Sequence, residues 1–420
     1  MTEQPASKTV VVIGAGILGV STAIWAQRDG HDVILVDREG PAAGASYGNA
    51  GLLASSAVVP VTTPDLWVKA PGMVLNPQSP LFLRWSYLPR MLPWLMRFMS
   101  HATDAKTRAA ADALFPIIGD SLADHQALAA GTRAEKYIVP TEYLYLYGSR
   151  ASYEAAQYSW QIKKSLGFQP TEYEGAALKA KDPAFSDQIG FAAAVPDHGR
   201  ISDPGAYVTA LADHVVASGG RLVIGEVSDI AHENGRVTGV RVGGETLACD
   251  AAVVTAGAWS GALGRALGLR LPLETERGYH VELWNPSKMP KTPAMVSSGS
   301  FVMTPMEGRL RLAGIVELGG LKAGPSKAPI NLLRSHLAKV MPDLTWEETT
   351  EWMGFRPTLS DSVPIIDEVA DIEGVYMGLG HQHVGLTGGS KTGRLLAQMM
   401  AGRRINLDMT PYRLDRFRGV

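Results

Sequence analysis

Apolar and polar positions change period twice within the first forty residues. Val10 to Ile13 is an unbroken apolar run, the pattern of a strand buried on both faces. Gly14, Gly16 and Gly19 follow, then a stretch without charge to Ala26, then Val33 to Val36 ending in Asp37. This order predicts strand, tight turn, helix and strand. A membrane span over Val10 to Ala26 is the competing reading, since no charge falls between Thr9 and Gln27. The glycines and the Ser21-Thr22 pair interrupt that run, and a spanning helix has no need of the strand pattern after it.

Further along, the patterning is mixed. Residues 60–100 interleave Trp67, Met73, Trp85, Met91, Trp94, Met96, Phe98 and Met99 with Arg84, Arg90 and Arg97. A broken helix of this kind is either buried with a cationic face or laid on a bilayer surface. Residues 104–136 are Ala-rich and read as helix. Tyr143 to Tyr147 alternates as a strand, Ser149 to Leu166 reads as helix, and Phe191 to Val195 reads as a short strand before a turn at PDHGR. Asp203 and Pro204 signal a helix start, and Gly219-Gly220 its end. Arg221 to Ala256 reads as strands and hairpins with an Asn234-Gly235 turn. Residues 268–350 read as antiparallel strands plus a helix over Asn331 to Val340. A Gly-rich start and an apolar helix occupy residues 378–400.

Composition narrows the classes. A chain of 420 residues exceeds one small core. Hydrophobic content of 46% and charged content of 19% are ordinary for a globular enzyme, and a net charge of −2 gives no footprint for nucleic acid. Cys249 is the sole cysteine, which excludes an internal disulfide and any Cys-rich metal site. No metal site is expected. The start, MTEQPASK, lacks a basic region followed by an apolar core, so no export signal is expected.

The glycine spacing carries the first chemical inference. G-x-G-x-x-G between a strand and a helix suits a dinucleotide. Gly14 allows the sharp turn, Gly16 leaves the backbone open to a pyrophosphate, and Gly19 lets the helix pack close. The helix N-terminus offers free N–H groups and a positive dipole end to that anion. Asp37, 18 positions after Gly19, suits the ribose hydroxyls.

The next segment, GPAAGASYGNAGLLASS over residues 40–56, makes the resemblance specific. Its G-x-S-x-x-N-A-G pattern at Gly44, Ser46, Asn49, Ala50 and Gly51 resembles the second flavin-contacting segment of the D-amino acid oxidase superfamily, and is most similar to bacterial D-amino acid dehydrogenases. Some relatives carry a histidine here that bonds covalently to FAD. Gly48 stands in its place, so non-covalent FAD is expected. The resemblance implies an α/β fold: a Rossmann-like FAD-binding domain (1–59, 201–267 and 351–420) with an inserted α+β substrate domain on an antiparallel sheet (60–200 and 268–350). It implies FAD contacts from Ile17, Leu18, Arg38, Leu52, Val227, Ala256, Gly257, Trp259 and Gly354. It also assigns Gly380, His381, Val384, Gly385, Leu386 and Thr387 to a second helix tip beside the flavin pyrimidine.

G-x-R-P at Gly354, Arg356 and Pro357 resembles the family's clamp for a substrate carboxylate. A guanidinium is a planar fork that grips a carboxylate with two bonds and stays charged when desolvated. Tyr279 in RGYHV is a candidate second donor to that carboxylate. His383 is a candidate facing substrate, with His381 supporting the loop. The reaction implied is oxidative deamination of a small D-amino acid, with D-proline or hydroxy-D-proline types among the candidates, by hydride transfer to flavin. The alternatives are a glycine or N-methyl amino acid oxidase using O2, a 2-hydroxyacid oxidoreductase, and an FAD-holding subunit without activity. A dehydrogenase is favoured, with a membrane quinone as acceptor. The expected location is cytoplasmic, or peripheral on the inner membrane face through residues 60–100.

Overall fold

The computed structural model describes residues 7–76 and 78–418. The reading of residues 1–6 as free of an export signal lies outside the described residues. Two large sheets organise the chain. The nucleotide sheet has the order Ile365–Glu368, Val375–Leu379, Ala251–Val254, Thr9–Ile13, Asp32–Asp37, Arg221–Ile224. Its pairings are parallel except at the Ile365–Glu368 edge. Val10 to Ile13 are buried on both faces, as their apolar run requires. Helices Ile17–Arg28, Pro204–Ala217 and Gly385–Met400 share one core on one side. A three-stranded antiparallel sheet, Val227–Glu233, Arg236–Val242 and Glu245–Ala248, covers the other.

Local signals set several of these elements. Gly14 has φ +107, and a Cβ on Gly19 would lie 1.7 Å from the Gly14 carbonyl oxygen, so both glycines are forced by geometry. Asp203 caps its helix by accepting from the Ala206 N–H, with Pro204 in the first turn. Asn234 and Gly235 take φ +50 and +75, the left-handed pair of a tight hairpin.

The second sheet runs Glu348–Leu359, Leu273–Trp284, Arg309–Leu318, Phe301–Met306, Ala294–Val296, Ile138–Tyr147, Phe191–Ile201, Leu52–Leu53, with Leu81–Leu83 and Thr171–Glu174 attached at the side. It divides the chain differently from the boundaries drawn above. Strand Glu348–Leu359, expected with the nucleotide portion from residue 351 onward, pairs along its whole length with Leu273–Trp284. Helices Asp104–Ile118 and Ser121–Ala129, expected with the substrate portion, pack into the core of the nucleotide helices through Leu114, Ile117 and Leu128.

Other expectations are corrected. The helix expected over 104–136 breaks at Gly119-Asp120, and that over 149–166 divides into Arg150–Glu154 and Gln157–Ser165. PDHGR is a bulge inside one long strand rather than a turn. Pairing skips from His198 to Val195, and Asp197 absorbs the extra residue with φ +59.

A buried charge cluster ties the glycine-rich segment to the second sheet. Glu282 accepts from Arg309 and Arg311, and Arg311 donates to the carbonyls of Tyr47 and Asn49. Burial alone would raise the Glu282 carboxyl, but the two guanidinium groups hold it down to about 2. Removing one member of a buried cluster leaves an uncompensated charge at a cost of about 3–5 kcal/mol. Glu282→Gln is therefore expected to lower stability by that order in denaturant titration. Because the folded-state pKa lies below the unfolded value, the contribution is complete above about pH 5 and fades as pH falls toward about 2. A variant whose stability loss is the same at pH 3 and pH 7 would contradict the account.

Candidate active site

One cavity of about 1850 Å³ runs between the two sheets. Single small-molecule pockets are about 300–1,000 Å³, so this one suits an extended dinucleotide with room beside it. One end is walled by Val36, Asp37, Arg38, Gly225 and Val227, and the middle by Gly14, Gly16, Ser46, Ala256, Gly257 and Trp259. The far end is walled by Asn49, Ala50, Leu52, Gly354, Arg356, His381, His383 and Gly385 to Thr387.

Two helix N-termini meet this cavity. Gly389 packs on Ile17 and Gly393 on Ser21, so helices Ile17–Arg28 and Gly385–Met400 run side by side in the same direction. Cβ atoms at Gly389 and Gly393 would fall 2.9 and 2.3 Å from those side chains, which fixes glycine at both crossings. The Ser46 hydroxyl accepts from the Ile17 N–H at 2.9 Å and lies 3.0 Å from where a Gly16 Cβ would be. Asp37 accepts from the N–H groups of Ala15, Glu39 and Gly40, so its carboxylate also braces the glycine turn. Arg38 stacks on Trp259 at 3.8 Å. Asn49 closes its own turn, donating to the Ser46 carbonyl and accepting from the Gly51 N–H.

The far end is shaped by close backbone approaches. Cβ atoms on Gly48 and Gly354 would fall 2.1 and 1.9 Å from ring atoms of Trp352, whose indole stacks on His280 at 5.1 Å. Arg356 donates to the Gly314 carbonyl at 2.6 Å, and its guanidinium lies 2.8 Å from where a Gly278 Cβ would be. Desolvation lowers its pKa and neighbouring Glu276 raises it, and the group keeps its charge. His383 opens into the cavity; desolvation and then Arg356 push its pKa down to about 4, so it is neutral at pH 7. His381 is buried, bonded through Nε2 to Thr392, and desolvation depresses it to about 3. The Gln382 side-chain nitrogen and the His381 Nδ1 are buried with no partner among the described residues.

Matching against family models places residues 9–399 in a family described as FAD dependent oxidoreductase. The chain belongs to the FAD-dependent oxidoreductase family. It is 37% identical to a D-amino-acid oxidase of Bradyrhizobium diazoefficiens over 99% of this chain and 100% of the relative. It is 28% identical to a D-amino acid dehydrogenase of the same organism over 97% and 98%. The fold matches glycine oxidase from Geobacillus kaustophilus with a TM-score of 0.75, at 20% identity over 98% and 99% of the two chains. FAD suits the cavity of this family member: paired helix tips, a glycine cradle, and buried Gln382 and His381 nitrogens left for a ligand.

The structure brings most of the expected residues to that cavity. Gly19, Gly51, Gly380 and Val384 are not among the residues that wall it. Gly51 has φ +67 and faces Met306, while Gly380 has φ +87 and faces Leu359. Tyr279 is among the residues that line the cavity, but its side chain leaves the strand on the face away from Arg356. Glu276 sits directly opposite Arg356 in the pairing, so even-numbered residues of that strand share the face of Arg356 and Tyr279 turns to the other. Its hydroxyl donates to Glu317 at 2.6 Å and accepts from the Ser326 N–H. Sequence reading missed Glu276, Trp352 and Gln382. The alternation that placed Gly278 and His280 on one face extends to Glu276, two residues before, and could have found it.

The Gly48 contact is testable. Gly48→Ala forces Trp352 aside, with an overpacking cost of about 1–3 kcal/mol. The expected result is a lowered melting temperature together with weaker FAD retention on dialysis. Unchanged values for both would show that Trp352 does not hold this segment.

Proposed function

We propose that the chain oxidises the amine of a small D-amino acid, D-proline types included, to an imine that water converts to a 2-oxo acid. The observation that carries this reading is Arg356, a desolvated guanidinium at the end of the cavity where the Gly385–Met400 helix begins. The relatives named D-amino-acid oxidase and D-amino acid dehydrogenase support the substrate class.

Residues of this chain would hold FAD as follows. Gly14, Gly16, Ile17, Leu18 and Ser46 face the pyrophosphate, and Asp37, Arg38 and Val227 the adenosine. Ala256, Gly257 and Trp259 line the middle. Asn49, Ala50, Leu52, Gly354, His381 and Gly385 to Thr387 surround the ring. Trp352 fills the space a side chain at Gly48 would need, which supports non-covalent binding. When bound, FAD supplies the hydride acceptor. Arg356 pairs with the substrate carboxylate and so fixes which way the α C–H points, a positioning effect that can contribute several kcal/mol. Neutral His383 can hydrogen-bond substrate without adding charge beside Arg356. Tyr279, turned away and bonded to Glu317, has no part in this mechanism.

The reading also sends the electrons to a lipophilic acceptor such as a quinone. Supporting it, Leu66, Met73, Leu88, Met91, Trp94 and Phe98 line the cavity, while Trp67, Val68, Trp85, Leu92 and Met96 of the same segment are exposed with Arg90 and Arg97. No helix of the described residues is long and apolar enough to cross a membrane, so contact of this segment with a bilayer would be at its surface.

Under anaerobic conditions a small D-amino acid is expected to bleach the flavin absorbance of the purified protein, and the L-enantiomer is not. Arg356→Leu should keep bound FAD and raise KM by roughly two orders of magnitude or more, in line with loss of a charge-assisted bidentate pair. Unaltered kinetics in that variant would sink the clamp. For the acceptor, a quinone analogue should re-oxidise the flavin faster than air does, and the protein should sediment with anionic liposomes at low salt. Air oxidation at the turnover rate, with no liposome binding, would make it an oxidase acting in solution.

A further inference from the structure

We propose that Glu276 holds the ammonium of the amino acid clamped by Arg356 and takes a proton from it, delivering the neutral amine that oxidation requires. This rests on the function proposed above and adds a catalytic base to it.

The argument begins with register. Glu276 and Arg356 are directly paired residues of adjacent antiparallel strands, so both side chains leave the sheet on the same face, and both line the cavity. Directly paired Cβ atoms are about 4.5–5.5 Å apart, so the two side chains rise next to each other from the same face of the sheet. The next residue on that face is Gly278, with no side chain to intrude, and Arg356 lies across it. Arg356 is anchored to the Gly314 carbonyl rather than to Glu276. Thus an acid and a base stand side by side over a bare strip of backbone, and a zwitterion satisfies both.

Chemistry selects the role. Glu276 is 7% exposed, and burial raises its pKa while Arg356 and Thr358 pull it down. Among the described residues the buried Thr358 hydroxyl has no hydrogen-bond partner. The other titratable groups nearby differ in kind. Glu274, next on the same face, is bonded to Tyr87, and His383 is neutral beside Arg356. Arg277 and Tyr279 belong to the opposite face with Glu317. Among the described residues, Glu276 is the carboxyl group that both lines the cavity and lies directly beside Arg356. The step is balanced: an N–H bond of the ammonium breaks, an O–H bond forms on Glu276, and nitrogen keeps the electron pair that then drives hydride from the α-carbon. A buried carboxylate with a raised pKa is a better base than an exposed one.

The test uses the FAD-loaded enzyme. Glu276→Gln should retain FAD and its melting temperature within a few degrees. Its kcat/KM at pH 7 should fall by about 10²–10⁴-fold, the range for general acid–base catalysis. In the variant, kcat/KM should climb tenfold per pH unit up to the pKa of the substrate's own ammonium, whereas in the parent it levels off once Glu276 ionises. Glu276→Asp should restore part of the rate and the levelling. A variant with the parent's pH profile would overturn the proposal and leave Glu276 as a structural counter-ion. A second measurement needs no variant: propionate, which lacks the amine, should bind the oxidised enzyme more tightly as pH falls, because it brings negative charge against Glu276. A propionate Kd that is flat from pH 5 to 9 would also overturn it. If no D-amino acid bleaches the parent flavin, the proposed function itself fails, which is a separate result from either.

Discussion

A guanidinium laid across bare backbone is the constraint on which one end of the cavity depends. Arg356 crosses from its own strand over Gly278 to reach the carbonyl of Gly314. A side chain at 278 would occupy the space of the guanidinium itself. A Cβ at 314 would come within 2.7 Å of the Phe301 backbone. Three strands from separate parts of the chain must therefore meet in one register before the cation has a place. That register then decides everything near it, because each strand alternates its faces.

The same dependence explains what could be read from the chain and what could not. The glycine turn, the Asp203-Pro204 helix start and the Asn234-Gly235 hairpin are set by φ, caps and hydrogen bonds within a few residues, and each was legible. Arg356 and residues of the 44–51 segment, singled out as motifs, line the cavity. The partner of Glu348–Leu359 was not, since nothing within that strand says which sheet it joins. The direction of the Tyr279 side chain was not legible for a related reason: which face of its strand meets Arg356 follows only from pairing. PDHGR has every residue type of a turn, yet it is held as a bulge by the long strand pair around it. Tertiary pairing overrode local chemistry there.

Residues 60–100 show a subtler case. Buried helix and surface helix were posed as alternatives for the whole segment. In the structure the faces divide: Met91, Trp94 and Phe98 are buried toward the cavity, while Leu92 and Met96, one step away on the helix, are exposed. The outer face mixes Leu92 and Met96 with Arg90 and Arg97, and composition alone cannot tell which side faces which.

Charge placement separates this cavity from a generic flavin cleft. Its histidines are driven neutral by desolvation, at about 3 for His381 and about 4 for His383. The buried arginines Arg309 and Arg311 are consumed by Glu282, and Arg277 by Glu317. Among the described residues that line the cavity, Arg356 is paired in register with Glu276, while Lys163 sits over the Tyr145 ring with its pKa pushed down to about 7 by burial. On the proposed reading, a low-dielectric site that sets a carboxyl group beside a guanidinium favours a zwitterion over a simple acid or amine, since either of those would leave one buried charge uncompensated. On that proposal, selection for amino acids over hydroxy acids would arise from the desolvation cost of the empty partner, without any contact to the side chain.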